Sequence, residues 1–213
     1  MNHLKRYQEL REAQKSLNNK LLGYAPQTNK KLSPNKAAKA LGYRIQDGAI
    51  VFPNEMAMDR LFDYMLYEPA PGGKSWAQRF LESGPDLPPD EAAVLRAAAK
   101  PESSLFKVVG VNRVACQLTL RDLLRDVPDV RLTDIGMAST FALNRLLFTR
   151  IFVADGITFS SGAGIAFAED QEAFVLKRCK RLQKIKNPAI RSRKTFALFV
   201  ELEKHSTIEM RLQ

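Results

Sequence analysis

The hydrophobic period of this chain changes twice, and that switch limits its folds more than any other feature. Over residues 3–22, Tyr7, Leu10, Ala13, Leu17 and Leu21 recur at three- and four-residue intervals, with Lys5, Glu9, Glu12 and Lys15 largely opposite. This is the period of one face of an α-helix. After Ser104 the apolar, β-branched and aromatic residues fall into short runs separated by turn residues, the pattern of strands. Beyond Glu169 the helical period returns. The class implied is α+β: N-terminal helices and a hairpin, a three-helix cluster, a small five-stranded antiparallel barrel or sheet, and basic C-terminal helices.

Local signals place the elements. Gly23 is expected to close the first helix, with a basic loop over Ala25–Leu32 that includes Lys30 and Lys31. Ser33 before Pro34 reads as an N-cap with proline at the first helical position, opening a helix over Asn35–Leu41. Tyr43–Phe52 reads as two short strands about Asp47-Gly48. A helix from Asn54 ends at Pro69 and Pro71, Ser75 caps another through Trp76, Phe80 and Leu81, and Pro88-Pro89-Asp90 starts a third. The strands expected are Leu105–Val111, Val114–Leu120, Val130–Thr133, Arg145–Val153 and Ile157–Phe167, the last two joined at Asp155-Gly156. Five such strands predict a closed or nearly closed antiparallel sheet. Residues 195–203 suit a strand or a helix, and the helix is preferred. The expected divisions are a basic helical arm (1–34), a helical cap with a short hairpin (35–104), a small β domain (105–168) and a basic C-terminal helical segment (169–213).

Charge divides the chain into three segments. Residues 1–44 hold ten Lys and Arg against two Asp and Glu, residues 45–169 hold twelve against sixteen, and residues 170–213 hold eleven against five. Two cationic ends around an anionic middle point to a polyanionic partner. On a helix, Val175, Cys179 and Leu182 share one face, while Lys177, Lys180, Arg181 and Lys184 lie opposite. Lys177 and Lys184 are ~10 Å apart along such a helix, comparable with one or two nucleotide steps. Lys186, Arg191, Arg193 and Lys194 extend the positive field. A phosphate-tracking surface for RNA or DNA is one reading, and an ordinary solvated helix face is the other. Aromatic residues are not interleaved with these basic ones, which argues against base stacking.

The sequence carries no other motif that points to chemistry. Cys116 and Cys179 fall in strand-like and helix-like contexts, which suits free thiols in a reducing compartment and implies no disulfide framework or thiolate metal site. No apolar run reaches the ~18 residues of a membrane span and no signal core follows the N-terminus, so a soluble cytoplasmic protein is expected. His3 and His205 lie at opposite ends in polar surroundings, which argues against a histidine-based triad or metal cluster. Gly162-Ala163-Gly164 lacks the remainder of a nucleotide loop and suits a bulge or close backbone approach. The acidic pairs Asp59/Asp63, Asp86/Asp90 and Asp122/Asp126 read as helix starts and solvated faces. No catalytic residue, cofactor or metal is assigned. Arg150, inside an apolar strand, requires a carboxylate, for which Asp122 and Asp134 are the candidates.

The succession Asp47–Phe52, Asp63-Tyr64-Met65-Leu66-Tyr67-Glu68, Ser103-Ser104-Leu105-Phe106, Leu120-Arg121-Asp122-Leu123-Leu124, Leu132-Thr133-Asp134-Ile135-Gly136-Met137-Ala138-Ser139 and Thr149-Arg150 resembles a family of uncharacterised bacterial proteins. The resemblance spans about residues 35–170. It implies a helical cap followed by a β domain, and no established activity. Some related proteins carry a cysteine-rich SecA-type zinc motif, which this chain lacks.

Three classes of function are compatible with these residues. The leading one is a binding protein that contacts a nucleic-acid backbone through its basic ends. The second is an interaction module for an acidic protein, or a homodimer formed through the apolar stripe of helix 3–22. The third is an enzyme with an unrecognised acidic site.

Overall fold

The computed structural model describes residues 3–28, 33–70 and 73–204. Helix α1 (His3–Thr28) is followed by α2 (Pro34–Ala40), the hairpin β1 (Arg44–Gln46) and β2 (Ala49–Val51), and helices α3 (Met56–Tyr67), α4 (Trp76–Glu82) and α5 (Pro89–Ala98). Strands β3 (Glu102–Asn112), β4 (Gln117–Asp122) and β5 (Val130–Thr133) come next, then α6 (Ile135–Thr140), β6 (Leu146–Ala154), β7 (Ile157–Ser160) and β8 (Ile165–Phe167). A 3₁₀ turn leads into α7 (Glu172–Gln183) and α8 (Pro188–Glu203). The fold is α+β, as the alternation of periods predicts.

Caps account for several boundaries. Ser33 Oγ accepts from the Lys36 amide, and Ser75 with Gln78 forms a capping box on α4. Asp134 Oδ1 accepts from the Met137 amide and starts α6, a helix that the period alone does not reveal. Gly23 does not close α1, which continues to Thr28 because Tyr24 still has a partner: its ring packs 4.9 Å from that of Phe80. The expected loop residues Lys30 and Lys31 lie outside the described residues.

The strands form one antiparallel ladder in the order β5-β4-β3-β6-β7, with β8 also on β6. β5 and β7, at its two ends, come back into contact, so the sheet is nearly closed. Its interior is filled by Phe106, Val108, Leu118, Leu120, Leu132, Phe141, Leu147, Ile151 and Ala166. Residues 157–167 run along one edge of β6 as expected, but not as one strand. Ser160 pairs with Ile151 and Ile165 with Phe148, so four residues on one side face two on the other. Gly162, at φ +98°, leaves extended conformation there, and a Cβ on Gly164 would lie 3.0 Å from Leu147 Cδ1. Val114–Cys116, expected in a strand, instead forms the turn between β3 and β4, with Val114 93% exposed and Cys116 at φ +52°.

The outer face of the sheet belongs to the helices. Leu146, Phe148, Phe152 and Ala154 of β6 alternate outward and join a second core that runs from Tyr7 of α1 to Leu202 of α8. The apolar stripe of α1 is thus covered by its own chain: Tyr7, Leu10, Leu17 and Leu21 are buried against neighbours in that core. This removes the surface on which the alternative of a homodimer through helix 3–22 rested.

Arg150 shares this outward face and is buried. Its Nε donates to Asp63 Oδ1 at 2.9 Å and its Nη2 to Glu68 Oε1 at 2.7 Å. The carboxylate requirement is met, but not by Asp122 or Asp134. Asp122 stands opposite Phe106 on β3, and Phe106 faces the barrel interior, so β-strand alternation puts Asp122 on the other side of the sheet from Arg150. Asp122 instead accepts from Ser104 Oγ, the Leu124 and Arg125 amides and Arg125 Nε. Asp134 caps α6 and accepts from Ser160 Oγ at 3.2 Å. Burial lowers the Arg150 pKa, and Asp63 and Glu68 together more than reverse this, leaving it above the ordinary arginine value. The guanidinium also lies 5.5 Å from the ring centroid of Tyr67 and 5.7 Å from that of Phe196.

A second polar tie holds α1 in place. Arg6 reaches both oxygens of Asp90 at 2.8 Å and also contacts Glu9 and Asp155. Arg6 holds the Asp90 carboxyl below its usual range.

Arg150→Met leaves two buried carboxylates uncompensated and should lower unfolding stability by about 3–5 kcal/mol in urea titrations. Adding Asp63→Leu and Glu68→Leu should recover most of that loss, and a triple variant as unstable as the single one would contradict this account of the cluster. Because the folded-state pKa of Asp90 is depressed, its contribution is present above the unfolded value of about 3.9 and is lost as pH falls through the folded value. Asp90→Asn should therefore cost under about 1 kcal/mol at pH 7. The difference from wild type should shrink as the pH is lowered below about 4, as read by denaturation at several pH values.

Candidate nucleic-acid interface

The C-terminal helices owe their position to apolar anchors at helical spacing. Phe196, Phe199 and Val200 are buried along one face of α8, which settles residues 195–203 as helix. The ring of Phe199 stacks on that of Phe148 at 3.9 Å and 11°. Asn187 Oδ1 accepts from the Ile190 amide, and Pro188 occupies the first helical position. On α7, Val175 and Cys179 are buried, and burial pushes the Cys179 thiol up to about 11. Arg60 pairs with Glu203 and so ties α3 to the end of α8. Burial lifts the Glu203 carboxyl above its usual range, and Arg60 opposes this.

With their apolar sides docked, the two helices present charge. A surface groove of about 570 Å³ runs between the end of α2 and the α7–α8 pair. Lys39, Arg178, Arg181, Lys194 and Lys204 line it, with Leu41, Leu182, Ala197 and Leu198 as its apolar lining and Glu201 as its acidic residue. Arg178 Nη2 donates to Glu201 Oε1 at 3.0 Å, and Lys204 Nζ donates to the Gly42 carbonyl at 3.4 Å. Five cations thus share one concavity with one carboxylate, which concentrates positive potential over apolar walls.

The residues expected from the sequence divide into three groups. Arg181 and Lys194 line the groove. Lys177, Lys180 and Lys184 are exposed along the same stripe of α7 as Arg181, and Lys186 is exposed just beyond it. Arg191 and Arg193 are only half exposed. Arg193 is held by the fold: its Nε donates to Tyr64 Oη at 2.9 Å, and its guanidinium lies 5.4 Å from that ring's centroid. Lys39, Arg178 and Lys204 were missed. Arg178 stands beside the basic stripe in sequence and a wider arc would have included it, but no local signal joins residue 39 to residue 204.

One member of each acidic pair is taken up by a structural contact. Asp63 serves Arg150, Asp90 serves Arg6, and Asp122 serves Ser104 and Arg125. No described helix is long and apolar enough to cross a membrane.

A family model described as "Family of unknown function (DUF7986)" matches residues 1–213. No curated protein and no solved structure matches the chain.

The docking of α7 can be read from its thiol. With its pKa near 11, Cys179 should react with iodoacetamide roughly 100-fold more slowly than half-exposed Cys116. Cys116→Ser should abolish the fast phase, and denaturant should release the slow one. Rapid labelling of Cys179 in the folded protein would show that α7 does not dock as described.

Proposed function

From the premise that this chain belongs to a family of unknown function, we propose that it binds the phosphate backbone of a nucleic acid, RNA or DNA, through the C-terminal helical pair. The observation that carries this reading is the groove in which Lys39, Arg178, Arg181, Lys194 and Lys204 meet a single acidic residue, Glu201. The exposed stripe Lys177, Lys180 and Lys184 continues the same positive surface along α7. Flexible ammonium groups and planar guanidinium forks are both suited to phosphate oxygens, the latter in bidentate fashion. Backbone contact of this kind is largely independent of sequence and releases condensed counterions. The filled barrel and its helical cap act in this reading as the scaffold that holds α2, α7 and α8 in register.

The test is the salt dependence of binding, measured by fluorescence anisotropy with labelled oligonucleotides. Engagement of five phosphates gives a slope of log K against log salt of about −3.5 on a single strand and about −4.5 on a duplex. Affinity should therefore fall by on the order of 100-fold or more between about 50 and 200 mM salt. Arg181→Glu with Lys194→Glu should weaken binding and flatten the slope by at least about one unit. Binding that does not change with salt, or that the double reversal leaves intact, would falsify the proposal.

A further inference from the structure

One aromatic side chain stands on the cationic surface. Phe174 is 48% exposed, in the first turn of a helix that docks through Val175 and Cys179. On the helical wheel it lies about 60° from Lys177, about 40° from Arg178 and about 20° from Arg181. The docked side of α7, Val175 and Cys179, is about 100° or more away from it. The sequence order conceals this, because Phe174 precedes the basic run. The helix nevertheless brings it within one turn of Lys177 and two turns of Arg181.

The surroundings of Phe174 are those of a nucleotide site more than of a core residue left over. The only carboxylate of α7 is Glu172. It lies on the opposite flank from Phe174 and is engaged by Lys107 Nζ at 3.0 Å. The stripe around Phe174 thus holds no acidic side chain of α7 itself; exposed Asp170 stands one turn before it in the 3₁₀ segment and Glu201 of α8 pairs with Arg178, against the three cations Lys177, Arg178 and Arg181. An aromatic face next to a row of cations offers the two contacts of single-stranded nucleic-acid binding, stacking on a base and pairing with the phosphates that follow it. A duplex keeps its bases stacked within itself and offers no free π-face to such a ring.

We propose that the ligand is single-stranded and that Phe174 stacks on one of its bases while Lys177, Arg178 and Arg181 hold the adjoining phosphates. This rests on the backbone-binding reading above and adds the strandedness of the ligand. Stacking of one base is worth about 1–3 kcal/mol, at least about fivefold in affinity.

The experiment compares an unstructured 12-nucleotide single strand, a duplex of the same length and inorganic polyphosphate. Phe174→Ala and Phe174→Leu should each weaken binding of the single strand by about fivefold or more and leave the duplex and polyphosphate within about twofold. Phe174→Trp should keep the affinity. Because the one native tryptophan, Trp76, is 3% exposed, the added indole reports the site, and single strand but not polyphosphate should quench its fluorescence. The ring is exposed, so these variants should melt like the wild type. Wild-type affinity in Phe174→Ala, equal losses on duplex and single strand, or no quenching would overturn the stacking proposal while salt-dependent binding still stood. Absence of salt-dependent binding to any nucleic acid would overturn both proposals. Self-association that Phe174→Ala abolishes would assign the patch to a second copy of the chain and overturn this one.

Discussion

A guanidinium in the middle of a buried strand constrains everything packed around it. Arg150 lies on the outward face of β6, between Phe148 and Phe152, where water cannot solvate its charge. A buried charge without a partner would cost several kcal/mol, so a carboxylate has to be delivered to that face. Asp63, inside α3, and Glu68, at its C-terminal end, approach from the same helix and meet different nitrogens of the fork. This sets both the rotation of α3 and its position along the sheet. The arrangement is specific without being electrostatically complete: among the described residues, Asp63 Oδ2 and Glu68 Oε2 have no hydrogen-bond donor. A buried ion cluster of this kind adds little net stability over apolar residues of similar volume, although removing one partner is costly.

The same residue reaches α8. Its guanidinium faces the rings of Tyr67 and Phe196, and Phe196 is also in contact with Tyr64 and Phe148. Phe199, one turn on, stacks on Phe148. The ion cluster and the aromatic cluster are therefore one piece of packing, and the C-terminal helix is seated on it. Arg60 with Glu203, and Lys204 with the Gly42 carbonyl, tie down the far end of that helix. The groove proposed to hold phosphate is built on this seat, with one wall from α2 and the rest from α7 and α8. The helices that carry its cations are anchored by their apolar sides, and a pre-organised backbone lowers the entropy lost on binding.

Much of the fold was legible because it is written in local period and punctuation. The α1 stripe, the Ser33 and Ser75 caps, the Asp47-Gly48 hairpin and the change to strands after Ser104 each depend on residues within a few positions of one another. The errors have local physical causes too. Gly23 weakens a helix without ending it when Tyr24 still has Phe80 to pack on. Asp134 opens a helix too short to show a period. The run from Ile157 to Phe167 reads as one strand because a bulge leaves the apolar content unchanged. The candidate site was half legible: Lys177, Lys180, Arg181 and Lys184 follow from the helical wheel, and Lys194 from proximity in sequence. Phe174 was overlooked because its place among the basic residues is a property of the helix and not of their order along the chain.

What the chain's sequence determined by itself was the type of most elements, the apolar faces of α1 and α7 and the need of Arg150 for a carboxylate, since all of these are set by side-chain chemistry and short-range spacing. Which carboxylate answers Arg150 was decided by tertiary structure. Strand alternation turns Asp122 to the barrel interior, and only helix packing brings Asp63 and Glu68 to the outer face. The groove was decided in the same way, because Lys39 and Lys204 come together only when α2 and α8 pack on a common core. Contacts across such separations depend on how whole faces fit, and no local window of sequence contains them.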